Sequence, residues 1–370
     1  MREAGDIARR IGGGARTRNY TAAAMAVTGS PELLIVMGAG ATAEQVDEVV
    51  ARLAEAGADA HVSAGKDATV IGAIGERELL AALPLEGFPG VDQVLPILKP
   101  YKLVSRELSR DPTVVDVGGR RVGGGYFGFI AGPCTVEYRE QTLVTARVVA
   151  EAGATWLRGG AFKPRTSPYA FQGLGQEALD ILAEARAETG LPVVTELMDP
   201  RHVEAVMDTA DVIQIGARNM QNFSLLSEVG SAGKPVLLKR GPSASIEELL
   251  MAAEYVVKEG NAQVVLCERG IRTFERSTRY TLDIGAIPVL KQETHLPVIV
   301  DPSHAAGKRE LVAPLARAAV AAGADGIIVE VHPAPEEALC DGPQLIPTGE
   351  FGDFAREIRA LVSLMGRAIG

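Results

Sequence analysis

The sequence lacks the features that mark several large classes of protein. It contains three cysteines, Cys134, Cys267 and Cys340. So sparse and odd a number argues against a disulfide framework and indicates a reducing, cytoplasmic environment. No apolar run approaches the roughly 18 residues that a membrane-spanning helix needs. We therefore expect a soluble protein without a membrane partner.

Positively charged residues are also fewer than negatively charged ones. The 370 residues include 37 Lys and Arg against 47 Asp and Glu, a formal net charge of −10. A negative protein binds nucleic acid poorly, so no nucleic-acid partner is expected, and any anionic metabolite must meet cations gathered in one place. A hydrophobic content of 47% excludes wholesale disorder. The length predicts about two domains.

Residues 1–31 show no sustained periodicity and contain the run Gly12-Gly13-Gly14, which predicts a flexible N-terminal tail. The apolar stretch at 22–27 is too short for a secretory signal. Several arginines in this segment leave an organelle transit peptide as the alternative to a cytosolic tail.

Residues 32–100 predict a small ferredoxin-like α+β domain, because strands and helices follow in the order β-α-β-β-α-β. Its predicted strands are 33–37, 59–63, 69–74 and 91–98, and its predicted helices begin at the capping box Thr42-x-x-Gln45 and at residue 76. The polar segment 101–111 is predicted to be the linker to a second domain.

Residues 112–370 predict a (β/α)8 barrel, because strand, turn and amphipathic helix alternate eight times over about this length. The predicted strands are 127–133, 155–159, 192–197, 212–216, 235–239, 264–268, 297–301 and 326–331. A doubly wound open sheet is the competing fold, although it seldom contains eight regular units. The hairpin-like segment 113–121 is predicted to cap the bottom of the barrel.

Seven cations follow three of the predicted strands, where barrel enzymes carry their catalytic groups. They are Arg158, Lys163 and Arg165, then Lys239 and Arg240, then Arg269 and Arg272. Arginine pairs two oxygens of a phosphate or carboxylate at once, and lysine adds a compact charge. The set therefore predicts anionic, phosphorylated ligands, against the alternative of solvated surface charges.

Possible metal ligands are spread along the barrel sequence: Cys134, His304, Glu330 and Asp341. No local spacing supports them, but a closed barrel would bring the first three to the ends of neighbouring strands. A thiolate, an imidazole and two carboxylates suit Mn²⁺, Fe²⁺, Co²⁺ or Zn²⁺. The alternatives are a packed thiol at Cys134 and a hydrogen-bonded histidine at His304. Lys239 at a strand end also allows Schiff-base aldolase chemistry.

Several motifs resemble the 3-deoxy-D-arabino-heptulosonate 7-phosphate (DAHP) synthase family, in its type Iβ branch with an N-terminal ferredoxin-like regulatory domain. The motifs are Ala131-Gly-Pro-Cys134, Arg158-Gly-Gly-Ala-Phe-Lys-Pro-Arg-Thr-Ser-Pro168, Gln214-Ile-Gly-Ala-Arg-Asn219, Leu238-Lys-Arg-Gly241, Glu268-Arg-Gly270, Asp301-Pro-Ser-His304 and Glu330-Val-His332. The resemblance extends from about residue 33 to the C-terminus.

The resemblance implies condensation of phosphoenolpyruvate with erythrose 4-phosphate and water to give DAHP and phosphate, the first step of aromatic amino-acid biosynthesis. The implied metal ligands are Cys134, His304, Glu330 and Asp341. The implied partners of phosphoenolpyruvate are Arg158, Lys163, Lys239 and Arg269, and those of the sugar phosphate are Arg165, Thr166 and Ser167. The implied catalytic residues are Lys163, Cys134 and His304. We expect neighbouring cations to lower the pKa of Lys163, which would transfer a proton to the aldehyde oxygen.

Other interpretations remain open on the sequence alone. The sister enzyme that uses arabinose 5-phosphate, 3-deoxy-D-manno-octulosonate 8-phosphate synthase, typically carries Lys-Ala-Asn-Arg-Ser where this chain has Lys163-Pro-Arg-Thr-Ser167. A non-catalytic barrel with a ligand-sensing N-terminal domain is a further alternative. Water could be activated by Glu196 or by a metal-associated carboxylate. The family also suggests a tyrosine or phenylalanine effector and a homotetramer.

Overall fold

The computed structural model describes residues 32–65, 69–76, 79–80, 82–96, 100–165 and 167–370. The predicted tail over residues 1–31 lies outside the described residues, and so does Thr166. In the described part of the chain, no helix is long and apolar enough to cross a bilayer.

The N-terminal unit is the predicted ferredoxin-like fold. Its antiparallel sheet has the order β2-β3-β1-β4. The strands are β1 (Leu33–Met37), β2 (Asp59–Ala64), β3 (Thr69–Ile74) and β4 (Val91–Pro96). Helix α1 (Ala43–Glu55) packs Val46, Val49 and Leu53 into the core. The predicted capping box is confirmed, since Thr42 Oγ1 accepts from Gln45 N while Gln45 Oε1 accepts from Thr42 N. The predicted second helix lies only partly within the described residues.

Eight parallel strands close into the predicted barrel. They are β7 (Tyr126–Gly132), β8 (Trp156–Arg158), β9 (Val193–Glu196), β10 (Val212–Ile215), β11 (Val236–Lys239), β12 (Val264–Glu268), β13 (Val298–Val300) and β14 (Gly326–His332). Each strand pairs with the next, and β14 pairs with β7. Closure rules out the doubly wound sheet, and every observed strand lies within two residues of its predicted ends.

Helices surround the barrel and shield its outer face. They are α2 (Arg139–Glu151), α3 (Gln176–Thr189), α4 (Val203–Thr209), α5 (Phe223–Ser231), α6 (Ile246–Lys258), α7 (Ala286–Glu293), α8 (Pro302–Ala306), α9 (Arg309–Ala321) and α10 (Thr348–Leu364). The largest apolar cluster joins the outward-facing strand residues, such as Phe129 and Val329, to these helices. Burial on both faces accounts for the nearly continuous apolar runs of the strands.

The hairpin that precedes the barrel fills its lower end, as predicted. Strands β5 (Val115–Val117) and β6 (Arg120–Val122) are antiparallel. Their valines form one cluster with inward-facing strand residues that include Trp156 and Cys267. Cys267 is therefore a packing residue of this cluster. Because this end of the barrel is plugged, only the opposite end is free for a ligand site.

The segment predicted as the linker is packed against both units. Leu103 and Leu108 contact Leu34 and Val36 of the N-terminal sheet. The buried carboxylate of Glu254 on α6 accepts from the amides of Leu103 and Val104, at 2.8 and 3.0 Å. The connection to the barrel is thus fixed by hydrogen bonds as well as by apolar contacts.

Candidate active site

A cavity of about 470 Å³ opens at the carboxyl ends of the barrel strands. Nine of the predicted site residues line it: Cys134, Arg158, Lys163, Arg165, Ser167, Lys239, Arg269, His304 and Asp341. Glu330 is fully buried beside them, 3.0 Å from Arg158 Nη1. The structure therefore brings these ten predicted residues together at one end of the barrel.

Cys134, Glu330 and Asp341 form a candidate metal group, with one ligand atom from each residue lying within 4.8 Å of the others. Cys134 Sγ is 3.4 Å from Asp341 Oδ2. His304 completes the predicted set, because its Nε2 lies 3.5 Å from Glu330 Oε1 and 4.0 Å from Asp341 Oδ2. These separations suit four donors that surround one ion.

The hydrogen bonds of Glu330 leave one oxygen for an ion. Its Oε2 accepts from Gln344 Nε2 at 2.6 Å, whereas its buried Oε1 accepts no hydrogen bond and is compensated by the ion pair with Arg158 Nη1 at 3.0 Å. A bound cation would supply this oxygen with a direct ligand bond. One thiolate, one imidazole and two carboxylates match a divalent ion of intermediate softness, so the residues present fit the predicted metal.

Asp301 orients the histidine of this group. Its Oδ1 accepts from the His304 backbone N at 2.9 Å, and its Oδ2 is 2.7 Å from His304 Nδ1. We assign the ring hydrogen to Nδ1, which leaves Nε2 free to bind an ion. Burial lowers the pKa of His304 and so favours the neutral, ligating form. Burial opposes ionisation of Asp301, but His304 and Lys239 hold its pKa well below the usual range.

Lys163 lies between the metal group and the open cavity. Its Nζ is 2.7 Å from Cys134 Sγ and 3.1 Å from Asp341 Oδ2. The expected lowering of its pKa is wrong. Burial does act in that direction, but the interactions with Cys134 and with the carboxylates of Glu330 and Asp341 outweigh it and raise the pKa of Lys163. Lys163 is therefore a cation near neutral pH.

The remaining cations divide into two groups. Arg158, Lys239, Arg269 and Arg272 line the cavity, and the first three are buried. Arg240 does not, because its Nη1 donates to Glu268 Oε2 at 2.8 Å and to Asp283 Oδ2 at 2.9 Å. Its assignment to the ligand-binding cations is therefore wrong, since it pairs with two carboxylates outside the cavity.

Arg165 and Ser167 lie on the loop that follows β8 and line the outer part of the cavity. Arg165 Nη1 donates to Cys340 Sγ at 2.8 Å. A hydrogen bond from Cys134 lowers the pKa of Cys340 to about 6. Thr166, the third residue predicted to hold the sugar phosphate, lies outside the described residues.

Sequence reasoning missed several residues that shape the cavity. Arg218 lines it and donates to the Pro164 carbonyl at 3.0 Å. Arg279 Nη1 donates to Asp341 Oδ1 and to Gln344 Oε1, both at 3.0 Å. Arg218 stands inside a quoted motif and could have been selected there. Arg279 does not follow the end of a predicted strand. The search for cations at strand ends therefore could not select it.

Comparison with protein families identifies two matching regions. The model described as "DAHP synthetase I family" matches residues 112–365. The model described as "DAHP synthase ferredoxin-like domain" matches residues 33–99. The two matches correspond to the barrel and to the N-terminal unit of the structure.

Individual proteins give consistent similarities. A phospho-2-dehydro-3-deoxyheptonate aldolase of Thermotoga maritima is 51% identical over 335 residues, which cover 90% of this chain and 99% of the relative. A 2-dehydro-3-deoxyphosphooctonate aldolase of Syntrophotalea carbinolica is 34% identical over 273 residues, or 69% of this chain and 98% of the relative. A crystal structure of a DAHP synthase of Thermotoga maritima superimposes with a TM-score of 0.73 at 49% identity, covering 92% of this chain and 100% of that one.

Proposed function

The chain belongs to the DAHP synthetase I family, and from this premise we propose that its barrel cavity condenses phosphoenolpyruvate with erythrose 4-phosphate and water to give DAHP and phosphate. The observation that carries the proposal is the position of the metal group and of the buried cations in one cavity. A metal group beside buried positive charge suits an aldehyde and an anionic partner that react with each other.

Cys134, His304, Glu330 and Asp341 would hold the divalent ion, and the chemistry it supplies when bound is Lewis-acid polarisation of a carbonyl group. We propose Mn²⁺, Fe²⁺, Co²⁺ or Zn²⁺ for the ion. The thiolate in the donor set supports this choice over Mg²⁺ or Ca²⁺, which prefer oxygen ligands.

Arg158, Lys239 and Arg269 would bind the phosphate and carboxylate of phosphoenolpyruvate. All three are buried, so their charges are poorly screened by water and attract an anion strongly. Arg158 is held rigidly, since its Nε and Nη2 donate to the carbonyls of Pro133 and Cys134 at 3.2 and 2.8 Å. Arg165 and Ser167, with Thr166, would bind the phosphate of the sugar farther out.

Lys163 would donate the proton to the aldehyde oxygen as the enol carbon attacks. The negative charges that surround it keep it protonated, as a general acid requires. The attack joins the enol carbon to the aldehyde carbon. Water then adds to the resulting cationic carbon, and phosphate leaves by C–O cleavage. Glu196 lines the cavity and is one candidate for activating that water, and a carboxylate of the metal group is the other.

The test is phosphate release from phosphoenolpyruvate with either sugar phosphate, before and after treatment with a chelator. We expect turnover with erythrose 4-phosphate, loss of turnover in chelator and recovery when Mn²⁺ is added back. Turnover with arabinose 5-phosphate alone would instead favour the octulosonate synthase. The 51% identity to the heptonate aldolase, against 34% to the octulosonate aldolase, supports the first outcome.

The Schiff-base alternative makes a different prediction. It requires an unprotonated Lys239, but Lys239 Nζ lies 2.5 Å from Asp301 Oδ2 in a buried ion pair. We therefore expect borohydride with substrate to leave no covalent adduct. A trapped adduct at Lys239 would contradict the metal-dependent proposal.

Three further properties are proposed on the family resemblance. They are inhibition by tyrosine or phenylalanine through the ferredoxin-like domain, assembly as a homotetramer and a cytoplasmic location. The sparse cysteines support the location. Sedimentation of the full chain would test the assembly, with a monomer as the contradicting result.

A further inference from the structure

One loop carries Asp341, the ligand of the metal group that lies farthest along the chain from a barrel strand. The loop, residues 333–345, connects β14 to the short strand β15 (Ile346–Pro347). Asp341 has a φ of 51°, the single positive φ at a non-glycine position among the described residues. A left-handed aspartate costs of order 1 kcal/mol and persists only where its surroundings fix it. The residues that hold this loop therefore decide whether Asp341 reaches the ion.

Glu137 holds the loop from the side of β7. It follows Cys134 by three residues, and its side chain is 2% exposed. Glu137 Oε1 accepts from the backbone N of Leu339 at 2.9 Å. That amide lies two residues before Asp341, so the carboxylate fixes the loop next to the ligand itself.

His332 holds the loop from the side of β14. Its side chain is 1% exposed, and its Nδ1 accepts from the backbone N of Ala334 at 3.0 Å. Because Nδ1 accepts, the ring hydrogen of neutral His332 is on Nε2. Nε2 lies 3.5 Å from Glu137 Oε2 and is otherwise buried without a hydrogen-bond partner. The two side chains therefore face each other and contact opposite ends of the segment 334–339.

We propose that Glu137 and His332 form a positioning pair that fixes loop 333–345, so that Asp341 reaches the ion held by Cys134, His304 and Glu330. The inference rests on the proposed metal-dependent function. Neither member of the pair lines the cavity, so both would act on the site only through the loop. A small displacement of the loop would move Asp341 away from the other ligands. Its Oδ2 now lies 3.4 Å from Cys134 Sγ and 4.0 Å from His304 Nε2.

Two substitutions weaken the pair without emptying its space. Glu137→Gln keeps an oxygen that can accept from the Leu339 amide. Its NH₂ group would face the Nε2–H of His332, and two hydrogen-bond donors in contact would weaken the pair. His332→Asn keeps an acceptor for the Ala334 amide but is too short to reach Glu137. The matched control is Glu254→Gln. Glu254 is also a buried glutamate that accepts hydrogen bonds from backbone amides, but these amides belong to residues 103–104 and not to the loop that carries Asp341.

The experiment measures Mn²⁺ affinity of the full chain by electron paramagnetic resonance of the free ion. Outer-shell partners typically contribute 10- to 100-fold to metal affinity. We expect Glu137→Gln and His332→Asn each to weaken Mn²⁺ binding by about that factor, and Glu254→Gln to leave it unchanged. Parent-like affinity in both variants would overturn the inference alone. A parent chain that binds no Mn²⁺ would overturn the proposed function, and the inference with it.

A double-mutant cycle separates positioning from general destabilisation. If Glu137 acts through Asp341, adding Glu137→Gln to Asp341→Asn should cause little further loss of Mn²⁺ affinity. Equal losses in both backgrounds would overturn the inference. The same cycle with His332→Asn keeps the test valid if Glu137→Gln fails to fold, which its thermal unfolding would reveal.

Discussion

Asp301 shows how a single side chain links the two halves of the cavity. Its Oδ2 accepts from Lys239 Nζ at 2.5 Å and from His304 Nδ1 at 2.7 Å. One carboxylate therefore positions a cation proposed for phosphoenolpyruvate and a ligand proposed for the metal. The pairing also neutralises a lysine that would otherwise be buried as an isolated charge, at a cost of several kcal/mol.

A glycine at the end of β7 allows the strands to meet beside the metal group. A β-carbon on Gly132 would lie 2.0 Å from the Arg158 carbonyl oxygen, which belongs to the neighbouring backbone and cannot rotate away. We predict that Gly132→Ala destabilises the fold by about 1–3 kcal/mol or more and displaces Arg158. Urea unfolding measures the first effect, and the KM for phosphoenolpyruvate, which should rise, measures the second.

The control for this prediction is the same substitution at an exposed position of a helix. Gly352 lies within α10, and a β-carbon there meets nothing within 4 Å. Gly352→Ala should therefore stabilise the fold by up to about 1 kcal/mol without changing the KM. A Gly132→Ala protein as stable as the parent would show that β7 and β8 can separate freely at this point.

At the scale of elements, the sequence predicted best those features that depend on residues close together in the chain. The capping box at Thr42 and the ends of the eight strands follow from neighbouring residues and from apolar runs. The rule that barrel enzymes carry their functional groups at strand ends selected Arg158 and Lys239, and both line the cavity. The same rule also selected Arg240, because the sequence does not reveal that Glu268 and Asp283 pair with it. Contacts between distant loops, such as that of Arg279 with Asp341, leave no local pattern.

Helix α6 offers an element-scale prediction, because it follows the strand that carries Lys239. Its N-terminus is a capping box in which Ser245 Oγ accepts from Glu248 N at 3.1 Å, and Glu248 Oε2 accepts from Ser245 N at 2.7 Å. Ser245→Ala should lower the free energy of unfolding by about 1 kcal/mol. Ser243→Ala, on the same loop before the helix, should have no effect on unfolding by urea. Equal stability of the two variants would contradict the role of the cap.

At the scale of the whole molecule, one end of the barrel is filled by packed side chains and the other end holds the cavity. The hairpin of β5 and β6 and the segment at 101–108 occupy the lower end and the side next to the N-terminal unit. All the cavity residues that the structure describes come from positions 134–341. Contacts between the two units can therefore be altered without touching the cavity directly.

The junction between the units predicts a dependence of stability on pH. His295 Nε2 is 2.8 Å from the Leu103 carbonyl, and its Nδ1 is 2.7 Å from Thr113 Oγ1, which suits a neutral ring. Burial lowers the pKa of His295. Its contribution to stability is therefore present above the unfolded value of about 6.5 and is lost as pH falls toward the lower folded pKa. We expect urea unfolding at pH 7 and pH 5 to show a smaller difference in His295→Gln than in the parent. Equal differences would contradict this role.

The last prediction concerns removal of residues 1–100. The loss would break the ion pair between Glu32 and Lys102, which lie 2.5 Å apart, and would expose Leu103 and Leu108. Stability should fall, but the cavity should keep its shape because none of its described residues is deleted. We therefore expect the shortened chain to release phosphate near the parent rate and to lose inhibition by tyrosine or phenylalanine. The full chain, inhibited in the same assay, is the control. Unchanged inhibition after the deletion would locate the effector site in the barrel, and the packed connector would then serve stability alone.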